Sequence, residues 1–312
     1  SVWVQVLSYV AGLYVATLVY SCILFLFFDV LDFIWKHLFK KEQGAFSVSW
    51  FHRNFFLFCL AFVIAFYGLW NGTHLEITSY HITMEKRESN LSSLKIAFLS
   101  DLHIGGFIRD EEILKIVDRT NEWNPELIVL TGDLFDESTS ERQKTLWIQG
   151  MKEWNPKYGI YYVYGNHEYL SSTFEEDLKL LEHAGIHVLE DEVVNVEHAF
   201  TIVGRKDRLA KRRALSDLLM ETEDLPILLL DHRPYYEDVS DYDREILQLS
   251  GHTHNGQIFP FKPFYDLVHL YAYGYYQEPS YDLLVTSGVG MWGIPVRIGS
   301  SREVVQVLIN FN

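Results

Sequence analysis

The sequence predicts an α/β domain of packed sheets flanked by helices, preceded by transmembrane α-helices. Three observations carry this. Two long charge-free apolar stretches lie in the first quarter of the chain. Beyond residue 93, short apolar runs alternate with segments of helical periodicity, then crowd together as strands. Five of the apolar runs end in Asp, Asn or His, several of them beside glycine.

The first stretch, Val2–Phe28, runs 27 residues without a charge, more than the ~20 that cross a bilayer. It is too long for the core of a signal peptide and has no cleavage site beside it. The second runs from Asn54 to Leu75, with its apolar heart at Phe55–Trp70. A pair of buried core helices is the competing reading; length and flanking aromatics favour membrane spans. The expected organisation is an anchor over 1–72, with spans at about 2–28 and 54–72. Between the spans, Asp29–Phe39 alternates apolar and polar residues in the manner of an interfacial helix. A connector over 73–92 and a soluble domain over 93–312 follow. The chain opens on Ser1 rather than Met, which leaves room for further N-terminal sequence, spans included.

The soluble domain opens on the stretch Leu94–His103, which reads as a buried strand with Asp101 and His103 at its end, two apart and so on the same side. Asp110–Trp123 has Ile113, Leu114, Ile116 and Val117 at helical spacing and acidic residues in its first turn. A strand at Glu126–Thr131, a helix over 139–153, a strand at Gly159–Tyr164 and a helix at Phe174–His183 follow. Short strands are predicted at His187–Leu189, Val193–Val196 and Phe200–Val203, then a helix over 208–222. The remaining strands are Pro226–Leu230, Ile246–Leu249, Leu283–Thr286 and Glu303–Ile309.

Charge narrows the function classes. Residues 1–72 carry four basic and three acidic residues, so the remainder holds −17 of the formal −16. A domain this acidic repels nucleic acid and anionic lipid at long range. To act on phosphates it needs a local positive centre, which bound metal ions supply. The basic residues of the loop between the spans, Lys36, Lys40, Lys41 and Arg53, place that loop in the cytoplasm and the large domain outside. Cys22 and Cys59 are the only cysteines, both in apolar stretches, so there is neither a disulfide framework nor a thiolate metal site.

The strand ends carry Asp101/His103, Asp133/Asp136, Asn166/His167, His232 and His252/His254. One Asp or His at a strand end is more often a hydrogen-bonded residue than a ligand. Five such ends are another matter, because loops at the carboxyl ends of strands are where α/β sheets build sites. The donors are oxygen and nitrogen only. That suits Mn²⁺ first, with Fe, Zn²⁺ or Mg²⁺ as alternatives. One ion takes about four ligands, so seven candidates fit two divalent ions sharing a carboxylate better.

In order, the blocks read Asp101-Leu102-His103, Gly132-Asp133-Leu134-Phe135-Asp136, Gly165-Asn166-His167-Glu168, His232 and Gly251-His252-Thr253-His254. This series resembles the calcineurin-like metallophosphoesterases over roughly residues 93–309. The resemblance implies a sandwich of two mixed sheets flanked by helices, with metals at one end. It implies Asp101, His103 and His254 on one ion, Asn166, His232 and His252 on the other, and Asp133 bridging. His167 would serve as proton donor or charge stabiliser at the phosphate, oriented by Asp136. The segments His254–Pro260 and Ser287–Arg297 are similar to a bacterial membrane-anchored branch with envelope phosphodiesterases and UDP-2,3-diacylglucosamine pyrophosphatases. Asn255 stands where that branch has Gly.

Two further features bear on substrate. Arg205, Lys206, Arg208, Lys211, Arg212 and Arg213 put six basic residues in nine, either as a solvated helix face or against an anionic headgroup or membrane surface. The aromatic run Phe259–Tyr276 follows the last metal block directly; it is either core packing or a wall for an acyl chain. Arg205, Phe259 and Tyr265 are the substrate-contact candidates. The expectation is a membrane-anchored dimetal phosphoesterase acting on a phosphodiester or pyrophosphate of a lipid or envelope precursor, with membrane lipids rather than nucleic acid as partners. The same chemistry on soluble substrates, or a receptor built on an inactive fold, are the alternatives.

Overall fold

The computed structural model describes residues 2–39, 49–236, 242, 244–268, 271–278 and 281–312. Lys40, Lys41 and Glu42 of the basic loop, and Leu270 of the aromatic run, lie outside the described residues. The elements are α1 (Val2–Phe39), α2 (Trp50–Asn71), β1 (Leu75–Met84), β2 (Ser93–Leu99), α3 (Asp110–Glu122), β3 (Leu127–Thr131) and α4 (Glu141–Met151). Next come β4 (Ile160–Val163), α5 (Asn166–Leu170), α6 (Phe174–His183), β5 (His187–Val188), β6 (Glu192–Val196), β7 (Phe200–Gly204) and α7 (Leu215–Leu219). The chain closes with β8 (Ile227–Leu230), β9 (Ile246–Ser250), a 3-10 turn at His254–Gly256, α8 (Phe261–Val268), β10 (Gly274–Glu278), β11 (Tyr281–Val285) and β12 (Arg302–Phe311).

The chain divides into two compact units. One comprises the residues up to His74 together with Gly293–Ile298; the other holds Leu75–Trp292 and Gly299–Asn312. In the first unit, α1 and α2 are long and apolar enough to cross a membrane. The buried residues include Ala16, Thr17, Tyr20 and Ser21 on α1 and Leu57, Ala61, Ala65 and Gly68 on α2. Small residues let helices approach closely where apolar burial gives no drive. Thr17 and Ser21 return their hydroxyls to the carbonyls of Leu13 and Thr17 at 2.7 Å, so neither leaves a polar group unpaired.

The stretch Asp29–Phe39 is not a separate interfacial helix. No Gly or Pro follows Phe28, so nothing stops the helix and α1 continues through it. Arg53 of α2 reaches that extension, donating to Asp32 Oδ2 at 2.6 Å and Asp29 Oδ1 at 2.7 Å. The helix α2 begins before Asn54 because Ser49 caps it, accepting from His52 N–H. Gly293–Ile298 packs in this unit. A Cβ on Gly12 would stand 2.4 Å from Pro295, and one on Gly68 would stand 2.6 Å from Ile298. Arg297 N–H donates to Gly68 O at 2.9 Å, and Asn71 donates to Arg297 O at 3.1 Å.

In the second unit, two mixed six-stranded sheets are flanked by helices. The first runs β1-β12-β2-β3-β4-β5 and the second β10-β11-β9-β8-β7-β6. Only β12–β2 is antiparallel in the first sheet; in the second, the two outer pairs β10–β11 and β7–β6 are antiparallel. Strand alternation sorts the side chains. Ile96 and Phe98 of β2 join Leu127 and Val129 of β3 against Phe200, Ile202, Leu228 and Leu247 of the second sheet. Ala97, Leu99, Ile128 and Leu130 face the other way, onto Ile113, Ile116 and Val117 of α3 and Trp147 of α4. The outer face of the second sheet is covered by Leu215, Leu218 and Leu219 of α7.

Two expectations change. Residues 75–84, expected as connector, form β1 and pair in parallel with all ten residues of β12, from Leu75↔Arg302 to Met84↔Phe311. As a half-exposed edge strand β1 has little apolar signal. The helix expected over 208–222 shrinks to Leu215–Leu219. Asp191 bears on this: its carboxylate accepts from Arg213 N–H at 2.9 Å, taking a backbone donor that a helix over 208–222 would need. The aromatic run, left unassigned, supplies α8 and β10.

Candidate metal centre

The expected ligands come from loops beyond the strands rather than from strand positions. β2 ends at Leu99, and Asp101 and His103 follow it with φ of +52° and +44°. Asp133, His252 and His254 share this left-handed backbone, at +53°, +71° and +49°. Such conformations disfavour non-glycine residues by about 1–3 kcal/mol each and persist only where the surroundings over-determine them. Here they do. Asp101 and His103 N–H donate to Gly132 and Asp133 carbonyls, both at 3.0 Å, and Ile104 N–H donates to Leu134 O at 2.9 Å. Gly290 N–H closes on Asp101 O at 2.7 Å. Gly165 and Gly251 give the necessary room: a Cβ on either would lie 2.1 Å from a carboxylate oxygen, of Asp133 and Asp101 respectively.

Asp101, His103, Asp133, His232 and His254 are all buried. Asp101, His103 and His254 form one group; Asp133, His232 and His252 form another; His103, Asp133 and His167 form a third between them. Asp133 and His103 therefore link the clusters. Asp133 Oδ2 lies 3.7 Å from His103 Nε2 and 3.3 Å from His232 Nε2. His254 Nε2 lies 3.4 Å from Asp101 Oδ1.

These positions fit cations. His103 Nε2 faces His254 Nε2 at 3.1 Å, and His232 Nε2 faces His252 Nδ1 at 3.2 Å. Two ring nitrogens bound to one ion at ~2.0–2.1 Å stand roughly that far apart. Among the described residues Asn166 Oδ1 is buried with no hydrogen-bond partner, which an ion would remedy. The outer nitrogens are fixed: His103 Nδ1 donates to Asp136 Oδ1 and His232 Nδ1 to the Thr131 carbonyl, both at 2.7 Å. That leaves each Nε2 free to ligate, the usual support for a metal-bound imidazole.

Electrostatics point the same way. Burial disfavours charge on His103 and His232. The Asp136 bond and the Asp133 and Asp101 charges outweigh it at His103, raising its pKa to about 9. Asp133 and then Asp101 do so at His232, raising it to about 10. His252 falls to about 3 through burial and the His232 and Arg233 charges. Burial raises Asp101, while the imidazoles hold Asp133 well below the usual carboxylate range despite burial. Clustered carboxylates thus call for positive charge at these imidazoles.

The remaining candidates divide. His167 lies beside the cluster, its ring 4.9 Å from His103 and its N–H donating to Asp133 Oδ1 at 2.9 Å. Asp136, expected to orient His167, is bonded to His103 instead, because the Ile104–Phe135 bridge sets the two loops side by side. Arg205 is buried and bonded to Asp191 at 3.2 Å. Phe259 is exposed. Tyr265 is half-buried, and its hydroxyl rises to about 12 through burial and then the charge of Asp101. Glu168 had no role assigned from sequence, although it sits in the Gly165-Asn166-His167-Glu168 block. It is buried, and its carboxylate accepts from Asp133, Leu134 and Gly165 N–H at 2.9, 2.7 and 2.8 Å, tying two ligand loops together.

A sandwich of mixed sheets with an oxygen-and-nitrogen centre suited to two divalent ions defines a class of metal-dependent phosphoesterases. The family model for calcineurin-like phosphoesterases matches residues 94–256, and the chain belongs to that family. It is 29% identical over 98% of its length to a zebrafish transmembrane protein with metallophosphoesterase domain, covering 74% of that protein. It is 31% identical over 78% of its length to an uncharacterized metallophosphoesterase of Helicobacter pylori, covering 68% of it. For the Bacillus subtilis metallophosphoesterase YkoQ the identity is 30%, over 75% of the chain and 90% of the relative. Among solved structures, TT1561 of Thermus thermophilus aligns at a TM-score of 0.41 and 14% identity, over 63% of this chain and 91% of that one. The relatives span vertebrates and bacteria, so the likeness is not confined to the bacterial envelope branch.

Proposed function

We propose that the protein is a membrane-anchored dimetal phosphoesterase that cleaves a phosphodiester or pyrophosphate bond in a lipid or membrane precursor. Asp133 carries this reading, since it lies against ligands of both clusters. Asp101, His103 and His254 would hold one ion and Asn166, His232 and His252 the other, with Asp133 between; Mn²⁺ is the first choice for this donor set. Two bound divalent ions make hydroxide available near neutral pH and neutralise charge on the phosphoryl oxygens. Asp136 and the Thr131 carbonyl keep His103 and His232 in the ligating tautomer. His167, anchored through its N–H on Asp133, donates a proton to the leaving oxygen or stabilises its charge.

A lipid substrate is supported by an apolar rim. Phe259, Phe261, Leu267 and Trp292 are each half exposed or more, and the Trp292 ring lies 6.3 Å from that of His167. Gln257 holds Trp292 by paired bonds of 2.8 and 3.0 Å. Anchoring is supported by α1 and α2 and by the transmembrane description of the zebrafish relative. We place the catalytic unit outside the cytoplasm on the basic loop, and a unit left uncut by protease on intact cells would reverse that placement. The substrate test compares turnover of a lipid-linked pyrophosphate with a soluble chromogenic diester. Preference for the lipid substrate upholds the reading; faster turnover of the diester makes the helices a tether only; hydrolysis of neither across a broad panel favours a receptor.

A further inference from the structure

The basic stretch and residues 287–297 both stood out in the sequence, and neither belongs to the ligand set. In the basic stretch, Arg205, Lys206, Arg212 and Arg213 are engaged in ion pairs with Asp191, Glu190, Asp231 and Glu221. Residues 287–297 open on a turn that comes back to Asp101. Thr286 follows β11, and beyond it Val289 N–H donates to Ser100 O at 2.9 Å and Gly290 N–H to Asp101 O at 2.7 Å. The glycines permit this contact. Gly288 has φ of +84°, a Cβ on it would stand 2.8 Å from Asp101 Cβ, and one on Gly290 would stand 2.0 Å from Leu102 O. The turn therefore packs backbone against backbone behind a ligand that itself holds a left-handed conformation.

Consecutive residues of β12 hold the turn. Glu303 is buried, and Oε1 of its carboxylate accepts from Thr286 Oγ1 and from Ser287 N–H, both at 2.8 Å. Oε2 accepts from the Thr78 hydroxyl of β1 and, at 3.1 Å, from the Tyr273 hydroxyl. Glu303 N–H donates to Gly288 O at 3.0 Å, and Gly288 N–H donates to Thr286 Oγ1 at 3.1 Å. Arg302, also buried, donates from Nε to Val289 O at 2.6 Å, while its Nη1 donates to Glu112 Oε2 of α3 at 3.1 Å. A carboxylate is costly to bury without donors, and here one of its oxygens is given over to the turn.

We propose that Glu303, with Arg302, is a positioning residue for the metal centre: through the 286–290 turn it keeps Asp101 in place beside His103 and His254. This rests on the phosphoesterase reading above. The Asp101 carboxylate accepts from His252 N–H at 2.9 Å and lies 3.4 Å from His254 Nε2. A left-handed non-glycine residue persists only while its surroundings over-determine it. The turn is one side of that constraint, and without it Asp101 relaxes and its carboxylate leaves His254. The turn bonds to Ser100 and Asp101, so the ion held by Asn166, His232 and His252 should feel its loss less.

The test is titration of the purified whole chain with Mn²⁺, the free ion read from its electron paramagnetic resonance signal, with melts in the absence of metal to check that each variant is folded. Thr286→Val keeps the shape of the side chain and removes the hydroxyl that links Gly288 to Glu303. It should weaken one ion by about tenfold or more and leave the other within about threefold, the size expected when an outer partner of one ligand is lost. Glu303→Leu should do the same or more. Glu303→Gln keeps an oxygen for Ser287 N–H, and the Thr78 and Tyr273 hydroxyls can turn to accept from its amide, so it should bind both ions nearly as the wild type does. Thr78→Val removes a hydroxyl from the same carboxylate on the oxygen that does not hold the turn, and should leave both ions unchanged. If Glu303→Leu fails to fold, Thr286→Val decides. Both ions at wild-type strength in Thr286→Val, equal weakening of both, or the same loss in Thr78→Val overturns the positioning role and leaves the phosphoesterase reading standing. A wild type that binds no Mn²⁺ overturns both.

Discussion

Leu7, Leu26, Phe27, Phe55, Phe56 and Trp70 of α1 and α2 are all more than half exposed, while small Ala16, Ala61, Ala65 and Gly68 are buried. In the second unit Asp101, Asp133, His103 and His232 are buried instead, beneath an ordinary charged surface. Each region inverts the rule for a soluble protein, and under the proposed function each inversion has a physical reason. Large apolar side chains face outward where the solvent is hydrocarbon. Carboxylates and imidazoles gather inside where cations offset their desolvation. The inversions also differ in rigidity. The helical faces ask only for apolar bulk, whereas the metal centre holds five non-glycine residues at positive φ through backbone bonds.

The sharpest way to break this contrast is at the shared carboxylate. Asp133→Asn should reduce phosphoester turnover by at least about 10³-fold, because both clusters act through it; steady-state assays on a chromogenic diester check this. His167→Ala should lower kcat by about 10²–10³-fold while leaving bound metal in place, so rate and metal content measured on one preparation separate a proton donor from a ligand. Asp136→Asn should weaken metal retention or activity by about 10–100-fold, as loss of an outer hydrogen bond does. A chelator titration distinguishes this from a group that acts directly at the phosphate, which would leave retention unchanged.

The helical unit should respond through packing alone. Gly68→Leu would push a side chain into Ile298, destabilising the unit by about 1–3 kcal/mol; melting in detergent should register it while metal content stays constant. The smallest effect concerns acid. Burial opposes the charge of Asp207, but the bond from Arg233 and the Leu209 N–H outweigh it and hold its pKa below the ordinary carboxylate value. Its stabilising contribution is therefore present above about pH 4 and fades as pH falls further. The stability gap between wild type and Asp207→Asn, followed by thermal melts from pH 6 downward, should narrow over that interval.

How legible each part was follows from how locally it is encoded. The two apolar helices and most strands were readable because charge-free length and apolar runs bounded by glycine are local signals. The candidate ligands stood out because Asp101, His103, Asp133, Asn166, His252 and His254 sit in short blocks, most with a glycine beside them. What escaped depends on partners far along the chain. β1 exists through pairing with β12, more than 200 residues away in sequence. Asp136 turns to His103 rather than His167 because of where two loops meet. Arg205 and its neighbours read as one basic face, yet Asp191, Asp231 and Glu221 divide them. No periodicity could report the three backbone bonds of Glu168.

The central claim is that Asp133 joins two ion sites within one buried cluster. Metal analysis of the purified, Mn²⁺-equilibrated protein tests it most directly, with wild type and Asp133→Asn measured beside their hydrolysis rates. The account predicts about two ions per wild-type chain, with loss of metal and of turnover together in the variant. A variant that keeps the wild-type metal content and hydrolyses the diester at the wild-type rate would contradict it.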